Sequence, residues 1–294
     1  MTLMTLSLNF QRTTAPLSLY KPSELHEFLN SLGIEPKKGL SQNFLIDGNI
    51  LRKLVSAANL NASDTVLEIG PGPGVLTEAL LDSGASVIAI EKDEKLAQHL
   101  ERLQNGKLKV LIDDFKNIRI KRLLNDLNQV KVIANIPYSI TGLIIQTLLP
   151  MYPLISSIHL MVQKEVAQRC VALKKTKDYS SFTLFTKYHS DPKLVCTVSK
   201  PCFYPPPKVD SAILELKLKA PPVSAPYEKL FELIQLSFQQ RRKMLRASLK
   251  GLHTPEVIEG ALESIGLSKT SRPQELDLED FSSLVFALES RNTH

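Results

Sequence analysis

Cysteine is scarce in this chain, with Cys170, Cys196 and Cys202 as its only three. Their scattered positions exclude a disulfide framework, and no Cys-x-x-Cys pair or Cys/His cluster has the spacing of a zinc site. Long apolar runs are also missing, since no stretch approaches the roughly 20 residues that a membrane-spanning helix needs. The sequence therefore predicts a soluble, cytoplasmic protein without a bound metal and without a membrane partner.

Residues 1–20 contain a single basic residue, Arg12, and no acidic one. They lack the repeated arginines and the clear amphipathic period of an organelle transit peptide. We therefore expect a flexible N-terminal extension rather than a targeting signal.

Positive charge is concentrated in the second half of the chain. The formal net charge of +6 is moderate and does not by itself indicate an anionic partner. Between residues 200 and 250, however, ten basic residues stand against four acidic ones. This segment is therefore a candidate face for nucleic acid.

Short β-branched runs alternate with amphipathic stretches over the first two-thirds of the chain, a pattern typical of a parallel sheet with crossover helices. The predicted strands are Thr65–Ile69, Ser86–Glu91, Leu108–Asp113, Val130–Ala134, Ile158–Val162, Phe182–Lys187 and Ala212–Lys217. The first two crossover helices are predicted at Val75–Asp82 and Glu94–Leu103, the first of them closed by Gly84.

The pattern changes after about Ala220, where a proline-rich linker is followed only by helical periodicity. Helices are predicted within Tyr227–Leu249, Pro255–Ile265 and Pro273–Leu288. We therefore predict an N-terminal extension over 1–20, a Rossmann-like α/β domain with a mostly parallel seven-stranded sheet over 21–220, and a small all-helical domain over 221–294.

A glycine-rich turn follows the first predicted strand and opens the first helix. The glycines of residues 70–74 allow a sharp backbone turn and the close approach of a ligand. Glu91 ends the next strand 21 residues after Gly70, where a carboxylate can accept hydrogen bonds from both hydroxyls of a ribose. Asp114 follows the third strand and is placed to accept from an adenine amine. Gly70, Gly72, Glu91 and Asp114 together predict a pocket for a nucleoside cofactor.

These features alone would also suit a nicotinamide dehydrogenase, so the segment after the fourth strand is decisive. It reads Asn135-Ile136-Pro137-Tyr138. The Asn135 side-chain oxygen and the Ile136 carbonyl can accept hydrogen bonds from the two N–H groups of an exocyclic amine. Pro137 restricts Ile136 to extended backbone. Tyr138 can stack on a base that has left its helix. The segment therefore predicts methyl transfer to adenine N6, whereas it has no role in hydride transfer.

The same segment resembles the N-[IL]-P-Y signature of the rRNA adenine dimethylases. The resemblance covers nearly the whole chain and includes Gln42–Leu45, Gln163–Ala167 and Phe203–Ala212. It implies S-adenosylmethionine as the cofactor. It also implies that Asn43 and Leu45 contact this cofactor and that Asn135 faces both cofactor and substrate, although Asn43 and Leu45 taken alone would suit a capped helix start.

The family resemblance further implies that Phe203 closes the clamp on the target base opposite Tyr138. A hydrophobic plug beside the proline-rich segment is the alternative for Phe203, and Tyr204 is an alternative stacking residue. Because the leaving group is neutral and the reaction depends on positioning, no strong base or covalent nucleophile is expected.

A basic segment, Gln239–Arg246, matches the basic helix of the same family. Arg241, Arg242, Lys243 and Arg246 span more than one helical face, so we expect some of them to contact RNA phosphates. A merely solvated basic helix is the alternative. Phosphate contacts would make RNA binding steeply dependent on salt.

The leading interpretation is an enzyme of subunit biogenesis that dimethylates two adjacent adenines in the 3′-terminal hairpin of 16S rRNA, within the small ribosomal subunit, as a monomer. The proline-rich segment and the helical tail resemble KsgA-type members of the family. An Erm-type enzyme acting on 23S rRNA shares the pocket motifs and remains the first alternative. A non-catalytic RNA-binding, assembly or transcription factor on the same fold is the second, although the intact pocket motifs argue against it.

Overall fold

A computed structural model describes residues 19–36 and 42–291, so the predicted N-terminal extension lies almost entirely outside the described residues. The strands of this part of the chain are β1 Phe44–Leu45, β2 Thr65–Ile69, β3 Ser86–Glu91, β4 Leu108–Ile112, β5 Val130–Asn135, β6 Ile155–Gln163, β7 Ser190–Val198, β8 Phe203–Tyr204 and β9 Ser211–Leu218. The helices are α1 Pro22–Ser31, α2 Gly48–Ala57, α3 Val75–Asp82, α4 Glu94–His99, α5 Ile120–Leu123, α6 Thr141–Leu148, α7 Lys164–Val171, α8 Ser181–His189, α9 Tyr227–Gln239, α10 Leu245–Ser248, α11 Pro255–Ser264 and α12 Leu278–Glu289.

Seven strands form one sheet in the order β4-β3-β2-β5-β6-β9-β7. The pairs from β4 to β6 are parallel, and β9 pairs antiparallel with both β6 and β7. Only β9 therefore runs against the others, and the prediction of a mostly parallel seven-stranded sheet is confirmed. The chain order of the strands reverses between β2 and β5, which opens a crevice at their carboxyl ends.

Six of the seven predicted strands are confirmed, but the prediction of a strand over Phe182–Lys187 is wrong. That segment lies in α8, and the strand follows it as β7. The aromatic and β-branched residues of this segment favour a strand only in isolation. In the structure, the Ser180 N–H donates to Thr183 Oγ1 at the start of the helix and the Thr186 hydroxyl donates to the Phe182 carbonyl oxygen at 2.8 Å.

The basic segment is not the continuous helix that the family resemblance implied. Helix α9 ends at Gln239 and α10 begins at Leu245, so that residues 240–244 form a turn. The Lys243 N–H donates to the Gln240 carbonyl oxygen at 2.7 Å and closes this turn. In a continuous helix Arg242 and Arg246 would lie four residues apart, and like charges at that spacing destabilise a helix.

The sheet buries an apolar core on each face, and a third core lies among the C-terminal helices. This third core also contains Tyr179, Leu184 and Tyr188, which precede the linker. The helical segment thus packs on the sheet-bearing part of the chain through shared apolar contacts. Within the described ranges, no helix is long and apolar enough to cross a membrane.

Candidate active site

The predicted pocket exists as one cleft at the carboxyl ends of β2, β3, β4 and β5. Every residue that was predicted to bind the cofactor lines it, and so does the whole Asn-Ile-Pro-Tyr segment: Asn43, Leu45, Gly70, Gly72, Glu91, Asp114, Asn135, Ile136, Pro137 and Tyr138. The cleft therefore brings together residues that are up to about a third of the chain apart. Their individual roles stay predictions.

The glycine-rich turn lines the cleft, and its backbone lies in a region that residues with a side chain rarely adopt. Gly70, Gly72 and Gly74 have φ values of +69°, +58° and +88°. A Cβ on Gly72 would lie 3.0 Å from the Phe44 ring, so a side chain there would also crowd the cleft wall. Glycine is thus required at this turn for both conformation and space.

Glu91 is tied to the glycine-rich turn. Its Oε2 accepts from the Gly72 N–H at 2.9 Å and its Oε1 accepts from the Asp93 N–H at 2.8 Å. Burial raises the pKa of Glu91, while these two hydrogen bonds act in the opposite direction. Each carboxylate oxygen keeps a second lone pair, so the structure leaves room for the predicted ribose contacts.

Asp114 lies at the far end of the cleft from the Asn-Ile-Pro-Tyr segment, after β4. Its Oδ2 accepts from the Lys92 Nζ at 2.9 Å and its Oδ1 accepts from the Lys116 N–H at 3.1 Å. The hydrogen bond from Lys92 is the main cause that lowers the pKa of Asp114, so the carboxylate is ionised and a strong acceptor. Lys92 also lines the cleft, and no sequence pattern had indicated it.

Asn135 is oriented by the segment that precedes α2. Its Nδ2 donates to the Asn43 carbonyl oxygen at 3.0 Å, so its Oδ1 is left as the acceptor of the side chain. The Ile136 side chain is buried, and its carbonyl accepts no hydrogen bond from any residue that the structure describes. Two acceptors therefore stand next to each other at the end of β5, as an amine substrate requires.

Tyr138 is anchored by its hydroxyl group. The hydroxyl shares a hydrogen bond with Ser211 Oγ at 2.5 Å, and burial raises the pKa of Tyr138. Ser211 begins β9, the strand that runs against the rest of the sheet. The Tyr138 ring is thus held by a residue of β9, which is distant in sequence and could not be predicted as its partner.

Phe203 is placed differently from its neighbours in the predicted site. It is 2% exposed, does not line the cleft, and pairs with Leu45 where β8 meets β1. Tyr204 contacts the edge of the His26 ring with 6.1 Å between ring centroids, and it does not line the cleft either. In this arrangement Phe203 packs behind Leu45, and its stacking on a base stays a prediction that requires the ring to turn outward.

Glu68 was missed as a functional residue although it precedes the glycine-rich turn. It lines the cleft, is 1% exposed, and neither carboxyl oxygen makes a hydrogen bond of normal geometry with a described residue. Burial raises the pKa of Glu68 to about 8; the nearby Thr77 hydroxyl acts in the opposite direction, and the charge of Glu91 adds to the rise. A single acid inside the apolar strand β2 was the signal that could have revealed it, because buried carboxyls are uncommon without a partner.

The four predicted RNA-binding residues fall into two kinds. Arg241 donates to the carbonyl oxygens of Thr176 and Lys177, and Arg246 pairs with Glu259 at 2.5 Å. Both guanidinium groups therefore already have partners within the protein. Arg242 and Lys243 are exposed, as the prediction of phosphate contacts requires; their binding of RNA stays a prediction.

The fold and the cleft together define a Rossmann-like methyltransferase. Its strand order, its glycine-rich turn and its Asn-Ile-Pro-Tyr segment all belong to that class. The family described as ribosomal RNA adenine dimethylase matches residues 34–289. The chain belongs to this family and is a methyltransferase enzyme.

Individual relatives agree with the family. The chain is 49% identical over 284 residues to the ribosomal RNA small subunit methyltransferase A of Protochlamydia amoebophila, across 95% of this chain and 100% of that protein. The crystal structure of a dimethyladenosine transferase from Plasmodium falciparum is similar with a TM-score of 0.70 and 27% identity, covering 85% of this chain and 98% of that chain. The 23S rRNA methyltransferase ErmE is similar with a TM-score of 0.67 and 29% identity, covering 84% of this chain and 100% of that chain.

The cleft suits the methyl donor that this family implies, a molecule of the S-adenosylmethionine type. Such a donor carries a nucleoside and a positively charged sulfonium. Asp114 follows β4, Glu91 is the last residue of β3, and Glu68 lies on β2, the strand between β3 and β5. The unpartnered oxygens of Glu68 offer an acceptor for the cationic part of the ligand, so the residues present fit the group.

Proposed function

We propose that this methyltransferase transfers methyl groups from S-adenosylmethionine to N6 of two adjacent adenines in the 3′-terminal hairpin of 16S rRNA, in the cytoplasm and as a monomer. A small-subunit enzyme that is 49% identical over its full length supports this choice of RNA. A solved 23S rRNA methyltransferase has nearly the same fold, so the fold alone does not select the substrate. The reaction would then be a step of small-subunit biogenesis.

On the cofactor side of the cleft, each residue takes the role that its position at a strand end gives it. Asp114 accepts from the adenine amine, Glu91 accepts from the ribose, and the backbone of Gly70 and Gly72 allows close approach. Asn43 and Leu45 cover the same cleft from the segment before α2. When bound there, S-adenosylmethionine supplies an electrophilic methyl group on a sulfonium that leaves as a neutral thioether.

The observation that carries the proposal is the pair of acceptors at the end of β5. The lone pair of an adenine amine is delocalised into the ring, and the amine becomes nucleophilic only as it turns towards tetrahedral geometry. The Asn135 Oδ1 and the Ile136 carbonyl favour that change by accepting hydrogen bonds from its two N–H groups. Since Asn135 is held by the Asn43 carbonyl oxygen at 3.0 Å, its acceptor is already oriented before substrate binds.

Tyr138 and Phe203 are proposed to hold the target base between them. Stacking of a base on an aromatic side chain contributes roughly 1–3 kcal/mol. Tyr138 stands at the cleft, whereas Phe203 must turn away from Leu45 to take part. Base contact by Tyr138 therefore needs no rearrangement, and base contact by Phe203 needs one.

The substrate is tested by incubating the protein with labelled S-adenosylmethionine and one of two candidate substrates, undermethylated small subunits or naked 23S rRNA. The labelled bases are then mapped. We expect label at two adjacent adenines of the 16S 3′-terminal hairpin. Label confined to 23S rRNA would replace the proposal by the Erm-type alternative. Absence of label in both RNAs, with cofactor still bound, would favour a non-catalytic assembly factor.

The role of Asn135 is tested by Asn135→Ala. We expect loss of methyl transfer with cofactor affinity reduced by less than about tenfold, because the amide mainly serves the amine in the transition state. Single-turnover transfer and calorimetric cofactor binding measure the two effects. Asn125→Ala removes an exposed amide outside the cleft and serves as the control. Normal turnover by Asn135→Ala would show that the amine is held elsewhere.

A further inference from the structure

An exposed loop joins α7 to α8 and carries three lysines. We call residues 173–178 the basic loop; Lys174, Lys175 and Lys177 lie in it, and all three are exposed. The turn of residues 240–244, which carries Arg242 and Lys243, lies against this loop. Two basic segments that are far apart in sequence thus form one surface.

Arg241 connects the two segments. Its guanidinium donates to the Thr176 carbonyl oxygen at 2.5 Å and to the Lys177 carbonyl oxygen. Its Nε is buried and has no partner among the described residues. Arg241 therefore uses its guanidinium group to hold the loop backbone, and its side chain is only partly exposed.

Further hydrogen bonds hold the basic loop against the C-terminal helices. The Lys175 N–H donates to the Gln274 carbonyl oxygen at 2.9 Å, and the buried Tyr179 hydroxyl donates to the Leu276 carbonyl oxygen at 2.7 Å. Lys175 itself has a φ of +69°, a conformation that a residue with a side chain rarely adopts. An exposed loop with this many constraints is pre-organised rather than adaptable.

Lys174 differs from the other lysines of the loop because its charge is neutralised. It pairs with Asp277 and, at 3.6 Å, with Asp280 at the start of α12. This pairing adds one more link between the loop and the helical segment. It also means that the positive charge left for a ligand comes from the remaining cations.

Four cations remain exposed on this surface: Lys175, Lys177, Arg242 and Lys243. None of them forms an ion pair or a side-chain hydrogen bond within the described part of the chain. Like charges on one rigid surface repel each other, and an anion with several charges relieves this repulsion. Leu173, 70% exposed at the start of the loop, adds an apolar contact beside the charges.

We propose that Lys175, Lys177, Arg242 and Lys243 form one phosphate-binding surface for the backbone of the RNA substrate, and that Arg241 is the residue that positions it. The inference rests on the proposed function for the identity of the anion as RNA. It extends RNA binding from the turn to the basic loop. It also removes Arg241 from the phosphate contacts and makes it a positioning residue.

The loop is tested with the double variant Lys175→Ala/Lys177→Ala of the full chain, measured against undermethylated small subunits over a series of KCl concentrations. We expect binding to weaken about tenfold, and the slope of log affinity against log salt to become shallower by about 0.9 for each lost phosphate contact. The matched control is Lys95→Ala/Lys109→Ala, which removes two exposed lysines near the β4 edge of the sheet. We expect the control to keep the wild-type affinity and slope.

Arg241 is tested by adding Arg241→Gln to the wild type and to the double variant. A positioning residue acts through the loop, so the substitution should weaken RNA binding in the wild type and change it little once Lys175 and Lys177 are gone. Arg242→Gln, by contrast, should weaken binding by a similar factor in both backgrounds. An equal, additive loss for Arg241→Gln would assign it a phosphate contact and overturn its positioning role.

The outcomes separate this inference from the proposed function. If the wild type methylates small subunits but the double variant binds them like its control, the phosphate surface is wrong and the proposed function stands. If the double variant binds subunits weakly yet binds naked 16S rRNA like the wild type, the surface contacts a ribosomal protein and the inference is overturned. Unchanged cofactor affinity and thermal midpoint of each variant show that the fold is intact. Failure of the wild type to methylate small subunits overturns the proposed function instead.

Discussion

Glu68 shows how one residue of the cleft affects the whole protein. Its carboxyl is buried without a hydrogen-bond partner among the described residues, and burial raises its pKa to about 8. The folded protein therefore keeps Glu68 protonated near neutral pH, whereas the unfolded chain ionises it at about pH 4.5. Between these two values the folded state binds more protons than the unfolded state. Stability should consequently fall as the pH rises through this range.

The substitution Glu68→Gln should remove this dependence. In the wild type the contribution of Glu68 is fully present below about pH 4.5 and is lost as the pH rises to about 8. Its slope is at most about 1.4 kcal/mol per pH unit. Denaturant unfolding at a series of pH values should give a flatter profile for Glu68→Gln over this window. Glu279→Gln, at an exposed position, should keep the wild-type profile; the same flattening there would contradict the assignment.

At the scale of elements, the two shortest strands hold part of the cleft wall. Strands β1 and β8 have two residues each and pair antiparallel, with Phe44 opposite Tyr204 and Leu45 opposite Phe203. This pairing attaches the segment of Asn43 and Leu45 to the wall of the cleft. The cofactor side and the proline-rich segment are thus mechanically connected.

Phe203 tests this connection. Phe203→Ala should lower the free energy of unfolding by about 3–5 kcal/mol, because the ring is buried in the core behind Leu45. Phe203→Leu should restore most of this stability, since it replaces one large apolar side chain by another. Chemical denaturation measures both. The rate of methyl transfer by Phe203→Leu then tests the stacking prediction. A wild-type rate would contradict it.

At the scale of the whole molecule, the helical segment and the sheet-bearing part share a core. Tyr179, Leu184 and Tyr188 precede the linker yet pack with the C-terminal helices. The last strand ends at Leu218 and the next helix begins at Tyr227. The division into separate domains over 21–220 and 221–294 stays a prediction.

Truncation tests whether the two parts are independent. A chain that ends at residue 220 should unfold at a lower temperature, because Tyr179, Leu184 and Tyr188 lose their apolar partners and become exposed to water. Thermal unfolding followed by circular dichroism measures the shift. A full-length chain cut within the linker is the control, and its two pieces should stay associated at the wild-type midpoint. An unchanged midpoint for the truncated chain would show an independent catalytic domain.

The sequence by itself determined the parts of the protein that depend on neighbours along the chain. Alternating apolar runs predicted six of the seven sheet strands. Glu91, Asp114 and Asn135 were expected in one cleft because each lies at or just after the end of one of these strands. This succeeded because parallel strands end at a common edge, so local order is enough to bring these side chains together. The role of residues 135–138 in the adenine chemistry was predicted for the same reason and stays a prediction.

Only the tertiary structure decided what depends on contacts between distant residues. The burial of Phe203 follows from pairing with β1, and the guanidinium group of Arg241 is bound by carbonyl groups about 65 residues earlier. The unpartnered state of Glu68 depends on everything that packs around β2. Burial and non-local hydrogen bonds set the free energies of these side chains, and neither quantity can be read from the residues on either side.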